Sequence, residues 1–189
     1  MPQIVAFPEA AVPAGLRAQV LALQVQAFGG PPPQGLGPVH DPALHPVSML
    51  LVDDRVVLSA LDVLGKQMVH AGQAWAVTGL STVVTAPGRR GQGLGRTLVT
   101  AARSAMSLGG ADLALFTCDR DLRGFYLSCG FDVLDGAVVV GGTVEDPLRS
   151  DTLDKVTLTC VFSDRARAQV AAFAGADLAL HPGPIDRLW

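Results

Sequence analysis

The spacing of apolar and polar residues along the chain follows two different periods, which together predict a protein of both strands and helices. Apolar residues recur every three or four positions over residues 13–28 and 96–108, which predicts two amphipathic helices. Alternating or short continuous apolar runs predict strands. These runs lie at residues 3–7, 47–52, 55–64 continued by 66–70, 73–85, 113–118, 133–140 and 155–162.

The segments between these runs carry turn and loop residues. Gly and Pro dominate residues 29–46, which we expect to form a loop, and a polar loop is predicted at 141–154. A short helical pattern covers residues 119–129, and a further helix is predicted at 164–173 with Ser163 or Asp164 as its cap. Residues 175–189 form a mixed tail.

The turn Arg90-Gly91-Gln92-Gly93-Leu94-Gly95 joins the strand predicted at 73–85 to the helix predicted at 96–108. The free N–H groups and the dipole at the start of a helix favour an anion there. Gly93 and Gly95 lack a Cβ, so a phosphate can approach the main chain closely. Arg90 adds a fixed positive charge that suits phosphate. The turn is therefore predicted to bind a diphosphate.

The spacing of the glycines separates the candidate ligands. A dinucleotide fingerprint needs G-x-G-x-x-G, and a P-loop needs a Lys followed by Ser or Thr, and neither pattern is present. The pattern R-x-x-G-x-G after a strand ending in Val-Val-Thr-Ala-Pro resembles the coenzyme A motif of the GCN5-related N-acetyltransferase (GNAT) family.

A second segment strengthens this resemblance. In the GNAT family, a strand, a helix that carries a tyrosine and a Gly-Phe pair follow the diphosphate-binding helix in this order. Here the strand at 113–118 precedes Tyr126, and Gly130-Phe131 follows, with Gly130 suited to a left-handed helix end. The resemblance covers residues 80–131. It implies an α/β (α+β) GNAT fold, a mixed, strongly twisted central sheet of about seven strands with helices on both faces.

The resemblance also implies the chemistry and the residues that perform it. The activity would be transfer of an acetyl group from acetyl-CoA to a primary amine in a ternary complex. Tyr126 would protonate the departing thiolate. The pantetheine arm would bind the main chain of the strand before the turn, as an added strand does. The residues implied to bind coenzyme A are Val83, Val84, Thr85, Arg90, Gly91, Gln92, Gly93, Leu94, Gly95, Arg96, Thr117 and Asp119.

The general base is not identified by the sequence. Many GNAT members carry a glutamate on the strand before the turn, whereas the stretch Leu80-Ser81-Thr82-Val83 has no carboxylate. Ser81 or Thr82 could hold a water. The remaining candidates are Asp119, His70, His45 and His181, of which Asp119 is better suited to a coenzyme contact.

The end of the sequence, Ile185-Asp186-Arg187-Leu188-Trp189, is similar to that of aminoglycoside 2'-N-acetyltransferases. That similarity implies that Asp186 and Trp189 contribute to the site of a cationic amine substrate, with an aminoglycoside as the sharpest candidate. Two alternatives stay open. One is a coenzyme A-binding sensor or partner module without catalytic activity, and the other is a peptide or protein N-acetyltransferase.

Length and composition limit the domain number, the partners and the location of the protein. A chain of 189 residues suits one domain, in which 1–46 form the N-terminal strand, helix and acceptor-side loop, 80–131 the coenzyme core, and 163–189 the last helix and tail. A net charge of −3 argues against a nucleic-acid partner. No membrane span, signal peptide, disulfide framework or metal site is indicated, so a soluble cytoplasmic protein is expected. A homodimer remains open.

Overall fold

The computed structural model describes residues 1–31 and 34–189, so Pro32 and Pro33 of the predicted loop lie outside the described residues. The helices and strands of the first half have the following bounds: β1 Gln3–Pro8, α1 Ala14–Phe28, β2 Val47–Asp53, β3 Val56–His70, β4 Gln73–Thr85 and α2 Leu94–Leu108. Those of the second half are β5 Leu113–Asp119, α3 Arg123–Leu127, β6 Asp132–Val133, β7 Val138–Gly142, β8 Pro147–Arg149, β9 Lys155–Val161, α4 Asp164–Ala168 and β10 Asp177–Ala179.

Seven strands form the central sheet in the order β1-β2-β3-β4-β5-β9-β6. Neighbouring strands are antiparallel except β4 and β5, which are parallel. This mixed sheet confirms the predicted fold class, and the predicted β2–β3–β4 meander is confirmed with nearly the expected bounds. The remaining strands form a small second sheet in the order β10-β7-β8, which the sequence did not predict.

The two long helices cover opposite faces of the sheet. Side chains alternate along β2, so that Leu50 packs with Val20 of α1, while Met49 and Leu51 belong to the core that contains Leu98 of α2. Leu50 is fully buried, and burial of this kind is worth about 1.5–3 kcal/mol for each such side chain. The alternation that predicted β2 therefore builds both layers of the core.

The second half differs from the prediction in three places. Residues 133–140 were predicted as one strand, but Gly136 adopts a φ of +70° and breaks it into β6 and β7, which lie in different sheets. The predicted loop at 141–154 contains β8, and the tail contains β10. The predicted helix at 164–173 ends at Ala168 and is followed by a 3₁₀ turn, while the Ser163 hydroxyl caps it by accepting a bond from the Ala166 N–H.

Two irregularities in β4 shape the centre of the molecule. Ala60 of β3 pairs with Val84 and Asp62 pairs with Ser81, so that Thr82 and Val83 form a bulge, and Thr82 has a φ of +50°. On the other side, β4 pairs with β5 only at Val77–Leu113 and Thr78–Ala114. Beyond these pairs the strands separate and leave a gap between them. The strand predicted at 73–85 therefore contains a bulge and separates from β5 beyond Thr78.

Within the described residues, no helix combines the length and the apolar character that a membrane crossing needs.

Candidate active site

The turn predicted to bind a diphosphate leaves the start of α2 open to an anion. Gly93 is the N-cap of this helix and has a φ of +78°, so no side chain caps the first turn. The first N–H groups of a helix have no partner within it. Gly91 also has a positive φ, of +77°, and a Cβ at either glycine would meet no protein atom within 4 Å. Open space and free donors therefore coincide at the predicted place.

A cavity of about 580 Å³ runs from this turn to the bulged end of β4. Its lining brings together all but three of the residues predicted to bind coenzyme A, and it also includes Tyr126. Arg89 adds a second guanidinium beside that of Arg90. The predicted residues in the lining are Val83, Val84, Thr85, Arg90, Gly91, Gly93, Leu94, Gly95 and Arg96. A cavity lined by arginines of the turn and by apolar residues of β4 fits coenzyme A.

Three predicted coenzyme residues lie outside this lining. Gln92 is exposed on the turn. Thr117 pairs with Thr157 of β9 within the sheet. The Asp119 carboxylate accepts a hydrogen bond of 2.6 Å from Lys155 Nζ and is exposed. The contact of Asp119 with the coenzyme therefore stays a prediction, because its described partner is a lysine.

Tyr126 belongs to the lining of this cavity and is buried. The ring makes edge contacts with Phe116, Phe125 and Phe131 at centroid distances of 5.1, 5.0 and 6.4 Å. Burial is the main cause that raises the pKa of Tyr126 well above its usual value. The phenol thus keeps its proton at neutral pH and can serve as a donor.

The face of the sheet that α1 covers holds a buried ionic group that we call the His40 cluster, formed by His40, Asp62, Asp186, Ser48 and Thr82. His40 Nδ1 lies 2.5 Å from Asp186 Oδ1, and its Nε2 lies 3.2 Å from Asp62 Oδ2. Asp62 also accepts bonds from the hydroxyls of Ser48 and Thr82, the latter at 2.5 Å. The side chains of His40 and Asp62 are 3% and 1% exposed.

Both ring nitrogens of His40 face carboxylates, so both must donate, and only the imidazolium can do this. Burial lowers the pKa of His40, but the bonds to Asp186 and Asp62 outweigh it and raise the pKa to about 10. Burial acts to raise the pKa of Asp62, and the bond from His40 reverses this, so that the net shift is downward. With one positive charge on His40 and one negative charge on each of Asp62 and Asp186, the cluster carries a net charge of −1.

A second buried ion pair holds the loop that carries His40. Arg17 Nη2 donates to Glu9 Oε1 at 2.6 Å and to the carbonyl oxygen of Gly37 at 2.9 Å. Glu9 in turn accepts from the backbone N–H groups of Val39 and His40. The end of the predicted loop is therefore fixed against α1, and it places His40 over β3.

The two residues predicted for the acceptor site lie near β3 and β4 but are buried. Asp186 bonds His40 and the Asp41 N–H, the latter at 3.0 Å, so both carboxylate oxygens are used within the protein. Trp189 Nε1 donates to the carbonyl oxygen of Leu115 at 2.7 Å. A direct contact of either residue with an amine stays a prediction, and Asp186 acts in this structure as a partner of His40.

The three histidines predicted as candidate bases are absent from the lining of the cavity that contains Arg90 and Tyr126. His70 Nε2 lies 2.8 Å from the Ala172 carbonyl oxygen, His181 Nδ1 lies 3.2 Å from that of Gly141, and His45 is exposed. His40 and Asp62, the ionic pair nearest the bulge, were not predicted from the sequence. A single aspartate within the apolar run of β3 was the one local signal for them.

Comparison with known proteins agrees with the fold. Residues 53–133 match the acetyltransferase (GNAT) domain model. Comparison with curated protein sequences gave no match. An acyl-CoA N-acyltransferase from Pseudomonas aeruginosa has a similar structure, with a TM-score of 0.59 and 18% identity over 84% of this chain and 99% of that one.

Two further solved structures have the same fold. Glucosamine-6-phosphate N-acetyltransferase from Arabidopsis thaliana is similar with a TM-score of 0.53 and 15% identity, over 69% of this chain and 90% of that one. A probable N-acyltransferase from Enterococcus faecalis is similar with a TM-score of 0.58 and 14% identity, over 71% of this chain. This chain spans 33% of the length of the Enterococcus protein.

The sheet order and the matched domain identify the fold as the GNAT fold. Residues 53–133 match the domain of GNAT acetyltransferases, whose co-substrate is acetyl-CoA or coenzyme A. The coenzyme cavity described above fits that co-substrate, because its uncapped helix start and arginines suit a diphosphate.

Proposed function

We propose that this protein transfers the acetyl group of acetyl-CoA to a primary amine of a small cationic molecule. The observation that carries the proposal is a single cavity whose lining includes the uncapped start of α2, the bulge of β4 and Tyr126. The diphosphate would bind the N–H groups of the turn between Arg90 and Arg96. The pantetheine arm would pair with the main chain of Val83–Thr85.

The chemical step follows from this arrangement. The amine nitrogen attacks the thioester carbonyl, and the tetrahedral intermediate collapses with cleavage of the C–S bond. The electron pair of that bond leaves with sulfur, and Tyr126 supplies the proton that converts the thiolate to the thiol. An N–H group at the bulge near Val83 stabilises the negative charge on the carbonyl oxygen. The products are the acetamide and free coenzyme A.

The His40 cluster supports a cationic acceptor rather than a base-catalysed step. Asp62 and His40 both stay charged near neutral pH, because the pKa of the aspartate is lowered and that of the histidine is raised. Neither group takes up a proton readily there, so the amine proton passes to water. The net negative charge of the cluster attracts an ammonium group to the bulge. The Thr82 hydroxyl donates to Asp62 and keeps its lone pairs free to accept from that ammonium.

A polycationic aminoglycoside is the candidate acceptor. Its several ammonium groups match the net charge of the His40 cluster, and Asp186 and Trp189 both lie on this side of the sheet. The same charge does not favour the main chain of a neutral peptide. The proposal therefore ranks small polyamines and aminoglycosides above peptides.

The test is a turnover screen with acetyl-CoA, read by the release of free thiol. Its panel contains aminoglycosides, polyamines, amino acids and short peptides. We expect turnover with a small polycationic amine and no turnover with N-acetylated versions of the same compounds. Turnover confined to peptides would contradict the acceptor assignment. Binding of coenzyme A without turnover on any member of the panel would favour a sensor module instead.

A further inference from the structure

The indole of Trp189 lies at the point where β4 and β5 separate. Its Nε1 donates to the Leu115 carbonyl oxygen at 2.7 Å, and a Cβ at Gly79 would come within 2.5 Å of that nitrogen. Gly79 and Leu115 each follow directly after the last paired residues of the two strands, Thr78 and Ala114. The ring therefore occupies the start of the gap, and only a glycine at position 79 leaves room for it.

The ring faces the side of the sheet on which the His40 cluster lies. Residues alternate along β4, so Gly79 shares a face with Val77, whose partner on β3 is Lys66. Every second residue of β3 shares a face, so Asp62, four positions before Lys66, lies on the same face as Lys66. The indole and the His40 cluster thus lie on one face of the sheet, which is the face where we place the acceptor.

The remaining length of the gap limits what the thioester can carry. A pantetheine arm along Val83–Thr85 runs from the diphosphate-binding turn toward the bulge, so an acyl group on its sulfur extends toward Gly79. Val83 and Gly79 are four positions apart along β4, which corresponds to a distance of at most ~13 Å at the rise of a strand. The acyl chain and the incoming amine must share this space.

We propose that Trp189 sets the acyl-chain length that the enzyme accepts, by closing the far end of the gap to chains much longer than acetyl. The inference rests on the proposed function and adds a specificity-determining residue to it. The side chain is 8% exposed and is held by both a hydrogen bond and core packing. A ring fixed in this way cannot turn aside for a longer chain without loss of those contacts.

Calorimetric titration of the full-length chain with acetyl-CoA and with tetradecanoyl-CoA, whose extended chain is longer than the gap, tests the inference without any acceptor. We expect the wild type to bind acetyl-CoA at least about tenfold more tightly than tetradecanoyl-CoA. Trp189→Ala should bring the two dissociation constants within about threefold of each other, chiefly by tighter binding of tetradecanoyl-CoA. Trp189→Phe keeps a ring but loses the N–H donor. Its ratio of the two dissociation constants should lie between those of the wild type and Trp189→Ala.

Leu178→Ala is the matched control, because Leu178 is a fully buried residue of β10 in the same core. It removes apolar contacts from this region without opening the gap, so the preference for acetyl-CoA should persist. The inference is overturned if Trp189→Ala keeps the wild-type preference, if the wild type has none, or if Leu178→Ala loses it equally. Failure of the wild type to bind either thioester would instead count against the proposed function.

Discussion

His40 Nδ1 lies 2.5 Å from Asp186 Oδ1, although the two residues are 146 positions apart in the chain. The contact joins the loop after α1 to the segment after β10, and Asp62 of β3 bonds the other nitrogen, Nε2, of the same ring. An imidazolium between two buried carboxylates is stable because each nitrogen has a charged acceptor. The cluster thereby fixes the segment that carries Asp186 against the face of the sheet proposed to receive the acceptor.

Replacement of His40 should therefore destabilise the protein strongly. His40→Asn leaves the carboxylates of Asp62 and Asp186 buried without their cation, and broken buried pairs of this kind cost about 3–5 kcal/mol. The free energy of unfolding in urea measures the loss. His45→Asn is the matched control in the same loop, since His45 is exposed and its φ of +48° suits asparagine. A loss for His40→Asn no larger than that of the control would contradict the role of the cluster.

The same cluster predicts how stability depends on pH. The pKa of His40 is raised to about 10 in the folded state, so the stability that it contributes is fully present below about pH 6.5 and is lost as the pH rises toward 10. Because the pKa of Asp62 is lowered in the folded state, the stability that its carboxylate contributes is lost as the pH falls below 3.8. Urea unfolding of the wild type and His40→Asn at pH 6, 8 and 10 isolates the first effect. The difference between them should shrink as the pH rises, and a constant difference would refute the assignment.

Tyr126→Phe should lower kcat by about 10²-fold, the usual contribution of a positioned general acid. The substitution keeps the ring that packs on Phe116 and Phe131, so the affinity for coenzyme A should stay within about twofold of the wild type. Burial raises the pKa of the phenol, and the wild-type rate should therefore show no loss from ionisation of Tyr126 near neutral pH. Thiol release and calorimetry provide the two readouts. An unchanged kcat would exclude Tyr126 as the proton donor.

Arg90→Gln should weaken the binding of coenzyme A by about tenfold, since hydrogen bonds to charged groups contribute about 1.5–3 kcal/mol and Arg90 is exposed. Because an exposed charge is screened by salt, the difference between variant and wild type should narrow as ionic strength rises. Arg55→Gln removes the same charge at the β2–β3 turn, away from the cavity lining, and serves as the control. Equal losses in both variants would indicate a general charge effect rather than a contact with the diphosphate.

The fold around the diphosphate-binding turn could be predicted because its signals are local. Alternation defines β2, β3 and β4, and the glycines of the turn lie between a strand and a helix that are each visible in sequence. The break at Gly136 was missed because a single glycine in an apolar run does not reveal a positive φ. Gly175 approaches it closely, at 3.2 Å between the Gly175 Cα and a Cβ built at Gly136, and that contact exists only in the folded chain.

The acceptor side could not be predicted for the same reason. His40 lies in a Gly- and Pro-rich stretch and Asp62 in an apolar strand, and neither neighbourhood indicates an ionic partner. Their meeting depends on the pair Glu9–Arg17, which fixes the loop, and on the path of the segment that returns Asp186 to β3. Sequence similarity suggested that Asp186 faces a substrate, whereas the structure uses both of its oxygens within the protein.

If the main-chain amides of the turn bind the diphosphate of coenzyme A, the chemical shifts of those amides must respond to the coenzyme. The ¹H–¹⁵N spectrum of the full-length chain is recorded during titration with coenzyme A and, separately, with inorganic pyrophosphate. Coenzyme A should shift the amide signals of Gly91–Arg96 and of Val83–Thr85, while pyrophosphate should shift those of the turn alone. Saturating coenzyme A with no change at Gly91, Gly93 and Gly95 would contradict it.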